Sequence, residues 1–403
     1  MRLFKRLVLI GIFLIIGLFA LAIKPGAGLA KTLEVGAIVN LEWPLGIYMK
    51  KFLESYVPYL NEKGGLDVGG EKFQIKMVIY NSKGTSEGGR AAAERLVYRD
   101  GVKFILGDET VEAWLPVTES NKVLTIATAP TEGILSPKYK YCFQGSVLQT
   151  QAVVLWGWFT TKFPEVKSLV TVYPDDVAGR AEDYKAQTFA SAFSLEKAKP
   201  IFYMPGTTDF SAIATKVIRS KPDVFSTAAG GPVQDSLLIK ALHEGGFKGI
   251  IFTQSTVPLA DIARVIPLEM AEGMISAVCG IHLDPPATPL AKDFKNAYIA
   301  KYQNWDEPDS LFFDPWFILA AGLAQAKSTD PVKVAAFISN GMKFDAMSGP
   351  AMMVSHPELG NNRTVDVLYT AYIRKITSGK AILIDQVDLK KGYELCKQYY
   401  GWK

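Results

Sequence analysis

Residues 168–203 read SLVTVYPDDVAGRAEDYKAQTFASAFSLEKAKPIFY. Ser168–Tyr173 is a short, mostly β-branched and apolar run, the composition of a buried strand. Pro174-Asp175-Asp176 breaks it, Arg180–Phe193 has helical spacing, and Pro200–Tyr203 is strand-like again. Strand, helix of about 10–15 residues and strand is the signature of a parallel βαβ unit. The same alternation continues outward. Toward the C-terminus come a helix at Ser211–Arg219, with Asp209 placed to cap it, a strand at Val224–Thr227, a helix at Gln234–Gly245 and a strand at Ile250–Thr253. Toward the N-terminus, Ala152–Phe163 reads as a helix.

An earlier series starts at Thr32. Leu33–Val39 is strand-like, and Tyr48–Asn61 is helical through Phe52, Leu53, Val57 and Leu60. Lys63–Gly70 reads as a turn or hairpin, and Phe73–Tyr80 alternates as a strand. Ser86–Tyr98 is an Ala-rich helix, and Val102–Leu106 and Val123–Ala127 are short strands. A chain of 403 residues exceeds the roughly 250–300 residues at which one core stops growing. Two doubly wound α/β lobes are expected. Ligands of such sheets bind beyond the carboxyl ends of the strands. Attention therefore falls on Asn40–Gly46, Asn81–Glu87, Gly107–Leu115, Thr128–Gly133, Pro174–Gly179, Ala228–Pro232 and Gln254–Pro258.

The first thirty residues are of another kind. Arg2, Lys5 and Arg6 precede an apolar run, Leu7–Ile23, and a short exit ending in Ala30, the pattern of an export signal. The run is short for a membrane helix of about 20 residues, and an uncleaved anchor is the alternative. No Cys follows it to carry a lipid. Four of the 44 Lys and Arg lie in this segment with no acid, so the rest carries 40 of each sign. The basic surplus therefore does not point to nucleic acid or to anionic membrane. Export predicts a periplasmic location.

Catalytic constellations are sparse. Gly84-Thr-Ser-Glu-Gly88-Gly89 resembles a phosphate loop but lacks its Lys and spacing, and reads as a loop before a helix. His243, His282 and His356 form no metal motif, although His282 stands three residues after Cys279. The acid pairs Asp108–Glu109 and Asp175–Asp176 follow strands, with no nucleophile or His beside them in sequence. They read as ligand contacts or solvated groups. No enzyme, cofactor or metal is expected. The cysteines are Cys142, Cys279 and Cys396; an odd number leaves at least one thiol free.

Further stretches carry a resemblance. Asn61-Glu-Lys-Gly-Gly-Leu, Phe73-Gln-Ile-Lys-Met-Val-Ile-Tyr, Asp100-Gly-Val-Lys-Phe-Ile-Leu-Gly107 and Val123-Leu-Thr-Ile-Ala-Thr-Ala-Pro130 are similar, in order and spacing, to the branched-chain amino-acid (Leu/Ile/Val) binding proteins. So are Thr208-Asp-Phe-Ser-Ala-Ile213, Leu238–Lys248, Ala271-Glu-Gly-Met274 and Met347-Ser-Gly-Pro350. These are type I periplasmic binding proteins of ABC transporters. The resemblance implies two Rossmann-like lobes joined by three crossover strands near Cys142–Val147, Ile275–His282 and Ala346–Met352. Lobe 1 is then 31–143 plus 281–347, and lobe 2 is 144–280 plus 348–403. Cys142 and Cys279 fall at crossovers, where a pair or two buried thiols are both open readings. A monomer that delivers a small-molecule ligand to an inner-membrane ABC permease is implied. A sensor of the same fold, reporting to a partner protein, is the rival.

By the same resemblance, the ligand carboxylate would meet Thr131, the backbone at Ala129 and the position of Val111, where relatives carry Ser. The second lobe's two tyrosines and its acid fall on Ala178, Gly230 and Thr256. A buried ammonium without a counter-charge is costly, by several kcal/mol. These departures point away from an ordinary α-amino acid and toward a larger or more apolar ligand, an aromatic or aliphatic carboxylate or amide, with Trp43 and Trp114 supplying flat surface. The alternative is that Glu109, Glu112 or Asp176 replaces the missing acid, which restores an amine.

Overall fold

The computed structural model describes residues 31–129, 132–145, 148–253, 259–308 and 313–402. The expected export signal, residues 1–30, lies outside them. Among the described residues no helix is long and apolar enough to cross a membrane.

The first series consists of β1 (Lys31–Val39), α1 (Pro44–Glu62), β2 (Leu66–Val68), β3 (Glu71–Asn81), α2 (Ser86–Glu94), β4 (Phe104–Gly107), α3 (Leu115–Ser120), β5 (Leu124–Ala127) and β6 (Cys142–Gln144). The strands form one sheet in the order β2-β3-β1-β4-β5-β6. All neighbours are parallel except β2, which turns back on β3 as the hairpin read from the glycines at 63–70. In β1, Val35, Ala37, Ile38 and Val39 are fully buried, as a strand covered on both faces requires. The helix expected at 86–98 is α-helical to Glu94 and then widens to a π-turn over Arg95–Arg99.

The second series is α4 (Leu148–Lys162), β7 (Ser168–Pro174), α5 (Val177–Ala192), β8 (Glu196–Lys197), β9 (Ile201–Tyr203), α6 (Ser211–Ser220), β10 (Val224–Thr227), α7 (Gly231–Glu244), β11 (Ile250–Thr253), α8 (Leu259–Val265) and β12 (Ile275–Val278). Asp209 accepts the Ser211 N–H at 2.9 Å, so it closes the start of α6. The chain continues through α9 (Pro289–Tyr302), α10 (Asp314–Ala326), α11 (Pro331–Ile338), β13 (Lys343–Ala346), β14 (Gly349–His356), β15 (Asn361–Tyr369), β16 (Ala371–Thr377), β17 (Lys380–Val387) and α12 (Leu389–Tyr400). The second sheet runs β17-β16-β12-β11-β10-β7-β8, with β9 also on β7. It is parallel from β12 to β7, while β16 and β17 are antiparallel additions.

Each sheet is covered on both faces, which makes both doubly wound. On the first, α1, α9, α10 and α11 bury Phe52, Phe294, Trp316 and Leu106 on one side. On the other, α2 and α3 cover Leu96, Ile105 and Trp114. On the second, α4 and α12 bury Trp156, Phe159, Phe252 and Trp402, and α6, α7 and α8 bury Phe210, Val217, Leu238 and Ile262. A small antiparallel sheet, β13-β14-β15, stands between them. Its Met353 and Val367 enter the first core, and its Val354 and Leu368 enter the second. The three cysteines are buried and free. Cys142 and Cys279 therefore do not pair, and the Cys279 sulfur lies 3.1 Å from the Ser348 hydroxyl.

Candidate functional site

The carboxyl ends of the two sheets lie toward each other. The Tyr48 hydroxyl, on the helix after β1, donates to Asp261 Oδ2 at 3.2 Å, on the helix after β11. The loops that leave those strand ends form the candidate site.

On the first sheet, β1, β3, β4 and β5 deliver Asn40, Ser82, Asp108–Thr110 and Thr128–Ala129. Asp108 is almost fully buried. Its Oδ2 accepts the Ser82 hydroxyl at 2.5 Å. Its Oδ1 accepts the Thr110 N–H at 3.0 Å and the Thr110 hydroxyl at 2.6 Å. The Asn40 amide donates to Glu109 Oε1 at 2.7 Å. Glu109 Oε2 is buried and has no hydrogen-bond partner among the described residues. Gly84 closes over this group. Its φ is +64°, and a Cβ there would lie 2.5 Å from the Asn40 side-chain nitrogen, so only glycine fits. Burial raises the Asp108 carboxyl above the usual carboxylate range. Burial, and then the neighbouring Asp108, push Glu109 up to about 7.

On the second sheet, Tyr203 ends β9, and Asp235 sits in the second turn of α7. Both are buried. Thr227, the last residue of β10, shares its hydroxyl between the Val172 carbonyl at 2.9 Å and Asp235 Oδ1 at 3.1 Å. The Tyr203 hydroxyl has no partner among the described residues. Burial pushes Asp235 up to about 7 and raises Tyr203 as well. Gly230 lies against both: a Cβ there would be 2.2 Å from the tyrosine oxygen and 2.6 Å from Asp235 Oδ1. The space expected to be empty at Gly230 is thus taken by a hydroxyl and a carboxyl reaching in from neighbouring elements. Among the described residues, no ion pair reaches Asp108, Glu109 or Asp235. Such carboxyls can accept from an ammonium or N–H when ionised, and can donate to an acceptor when protonated.

The candidates read from sequence are distributed as follows. Trp43 is half-buried at the start of α1 and packs on the first core. Val111 is fully buried in the turn after Thr110. Glu112 is exposed and lies against Gly133. Trp114 is fully buried between Gly89 and Gly107, and its ring N–H donates to the Thr110 hydroxyl at 3.3 Å. It packs as core and positions Thr110. Both backbone groups of Ala129 are taken by Gln144, whose side-chain oxygen accepts the N–H at 3.1 Å and whose side-chain nitrogen donates to the carbonyl at 2.9 Å. Asp176 is exposed and caps α5, accepting the Gly179 N–H at 2.8 Å. Ala178 and Gly230 are half-buried at the second sheet's edge. Thr131 and Thr256 lie outside the described residues. The sequence reading did not single out Asn40, Ser82, Tyr203, Thr227 or Asp235. The first two are the residues directly after strands, a usable signal; Asp235 lies inside a helix and gives none.

Gly84-Thr85-Ser86-Glu87-Gly88 also has the Gly-x-Ser-x-Gly spacing of a nucleophile elbow. Ser86 is exposed at the start of α2, where Thr85 caps by accepting the Gly88 N–H. No histidine approaches it. His243 is exposed, His282 meets the Pro308 carbonyl, and His356 lies between Glu358 and Asp366. The run is a capped helix start.

The sequence profile of a family described as "Periplasmic binding protein" matches residues 33–378. A search of the curated proteins finds no match. Among solved structures, a solute-binding protein of an ABC transporter from R. palustris, in complex with benzoate, is 18% identical. It covers 89% of this chain and 97% of its own, with TM-score 0.69. The leucine-binding protein LivK of Thermotoga maritima is 20% identical over 89% of this chain and 99% of that one, with TM-score 0.68. LivJ of Streptococcus pneumoniae, a branched-chain amino acid transporter substrate-binding protein in complex with isoleucine, is 19% identical over 88% and 99%, with TM-score 0.70. At these identities the likeness is one of fold.

Proposed function

Since this chain belongs to the periplasmic binding protein family, we propose that it is the extracytoplasmic solute-binding component of an ABC importer. It captures a small organic ligand between two lobes, 31–143 plus 281–347 and 144–280 plus 348–403. The lobes close about the crossovers, and the closed form is offered to an inner-membrane permease. In this reading the protein is exported by its first thirty residues, works as a monomer and carries out no catalysis.

The observation that carries the reading is a pair of carboxyl groups with no ion-pair partner among the described residues: Glu109 after β4, with a buried Oε2, and the buried Asp235 in the second turn of α7. A buried carboxylate is costly without a partner. A ligand that brings an ammonium or N–H supplies that partner, and only when both lobes surround it. Solved relatives of the same fold hold isoleucine, which carries an amine, and benzoate, which does not. The acids here favour a ligand with a cationic nitrogen, amino-acid-like or an amine with an apolar body; the aromatic or aliphatic carboxylate or amide is the class it displaces. The test is a thermal-shift screen of the mature protein against amino acids, amines, benzoates, aliphatic acids and amides. A ligand that binds only the folded state raises Tm by mass action. Stabilisation by amine-bearing compounds is expected. Stabilisation by benzoates alone overturns the ligand class, and hydrolysis of any stabilising compound overturns the transport role.

A further inference from the structure

Three consecutive residues after α9 are tied to three different parts of the molecule. Asp306 accepts from Lys51 of α1 at 2.8 Å and from the Tyr298 hydroxyl of α9, both on the first sheet's side. Glu307 reaches the other way. Its Oε2 accepts the Ala260 N–H of α8 at 3.2 Å, and its Oε1 accepts from the Arg374 guanidinium of β16 at 3.4 Å. Pro308 offers its carbonyl to His282 Nε2 at 3.0 Å, in the passage from β12 to α9. A carbonyl only accepts, so Nε2 carries the proton.

Glu307 has φ +53°, a left-handed backbone that a non-glycine residue keeps only where its surroundings impose it. The residues on either side of it are tied to the first sheet's helices and to the crossover, while its own carboxylate is held by the second sheet's elements. Arg374 is 3% exposed and also donates to Ser276 of β12 at 3.2 Å, so it is a rigid receptor for that carboxylate. Beside this contact, Tyr48 of α1 meets Asp261 of α8, which Arg264 holds in place.

We infer that residues 306–308 are a strap which holds the two lobes closed in the absence of ligand, with Glu307 as its crossing member and Tyr48–Asp261 as a second clasp. The inference rests on the two-lobe reading above. Opening about the crossovers would part Glu307 from Ala260 and Arg374, and Tyr48 from Asp261. None of these groups belongs to the acid sites at Glu109 and Asp235. The strap therefore sets the share of molecules already closed before any ligand arrives. Apparent affinity scales with that share, so the strap tunes affinity for whatever ligand the site takes, without touching it.

The test needs no ligand. Tyr98 and Tyr184 are exposed, one on each side of the molecule, at 65% and 67%, and the three native cysteines are buried. Tyr98→Cys with Tyr184→Cys provides a dye pair for single-molecule energy transfer on the ligand-free protein. The parent should show a predominant short-distance population. Glu307→Gln should shift the closed-to-open ratio toward open by roughly ten-fold or more, the usual size of losing a hydrogen bond to a charged group. Tyr48→Phe should shift it by a smaller factor, and the double variant by more than either. Circular dichroism melting reports whether each variant is folded; if Glu307→Gln does not fold, Tyr48→Phe decides alone. An unchanged distance distribution in the folded variants, or a parent that is already open, overturns the strap. Because no ligand is added, a failed ligand screen would leave this result standing, and a failed strap would leave the ligand screen standing.

Discussion

Asp235→Asn separates the cost of the second-sheet carboxyl from its use. Asp235 is 3% exposed and meets the Thr227 hydroxyl, a contact that an asparagine side chain can keep. In the folded protein the carboxyl is pushed by burial from its ordinary 3.8 up to about 7. The folded state therefore holds the proton more tightly than the unfolded chain does. Well below pH 3.8 both states are protonated and the group costs nothing. As pH rises toward 7 the unfolded chain ionises freely and the folded one does not, so stability falls; above 7 the loss is complete. At about 1.4 kcal/mol for each ten-fold change, the loss approaches roughly 4 kcal/mol, and local relaxation brings the expected value to about 2–4 kcal/mol. Asparagine never ionises and avoids this loss. Urea unfolding of the ligand-free parent and variant should put the variant ahead by about 1 kcal/mol or less at pH 4.5 and by about 2–4 kcal/mol at pH 8. The same variant should bind an amine ligand at least ten-fold more weakly, since a charge-assisted hydrogen bond is lost. A variant less stable than the parent at pH 8, or one equally shifted at both pH values, would refute the claim that this carboxyl is buried without a counter-charge.

Three other outcomes follow from the same geometry. Glu109→Gln should weaken an amine ligand by ten-fold or more in calorimetric titration, because it removes the charge that Asn40 presents to the site. In the parent, affinity for an amine should rise between pH 6 and 8, and binding should release protons, as Glu109 and Asp235, each near 7, are ionised by the cation; a carboxylate ligand would give the opposite slope, seen by titrating in buffers of different ionisation enthalpy. Trp114→Ala should cost about 3–5 kcal/mol of stability, the loss of a fully buried aromatic ring, while Trp114→Phe should leave ligand affinity nearly unchanged.

The alternation of short apolar runs with helical spacing located the parallel part of the fold almost residue by residue. Val224–Thr227 and Ile250–Thr253 coincide with β10 and β11. Those strands are buried on both faces, so burial alone sets their composition. The last third was not legible in the same way. β14 to β17 are antiparallel, and β17 exposes Ile382, Leu383 and Ile384, so its apolar run does not report burial. The free state of Cys142 and Cys279 was undecidable from spacing, since a disulfide depends on the separation and direction of two side chains. Trp114 shows the same limit. Its place in a post-strand segment was visible, but not that Gly89 and Gly107 make a slot that swallows the ring.

At Gly230, a binding pattern carried across position by position leaves out what neighbouring elements supply. Gly230 stands where relatives are expected to have a tyrosine, and Ala178 and Thr256 where they are expected to have the other tyrosine and the acid. Taken singly, these changes remove a hydroxyl and a charge. In the folded chain a hydroxyl and a carboxyl are nevertheless present at Gly230, supplied by Tyr203 from β9, on the far side of β7, and by Asp235 from the following helix. The glycine is the condition for both, since any side chain would collide with them. What sequence order preserves is the backbone frame, the strand ends where a ligand can be met. Which side chains arrive there depends on reach from several elements at once, and a carboxyl such as Asp235, inside a helix, becomes legible only when its burial is seen in the folded chain.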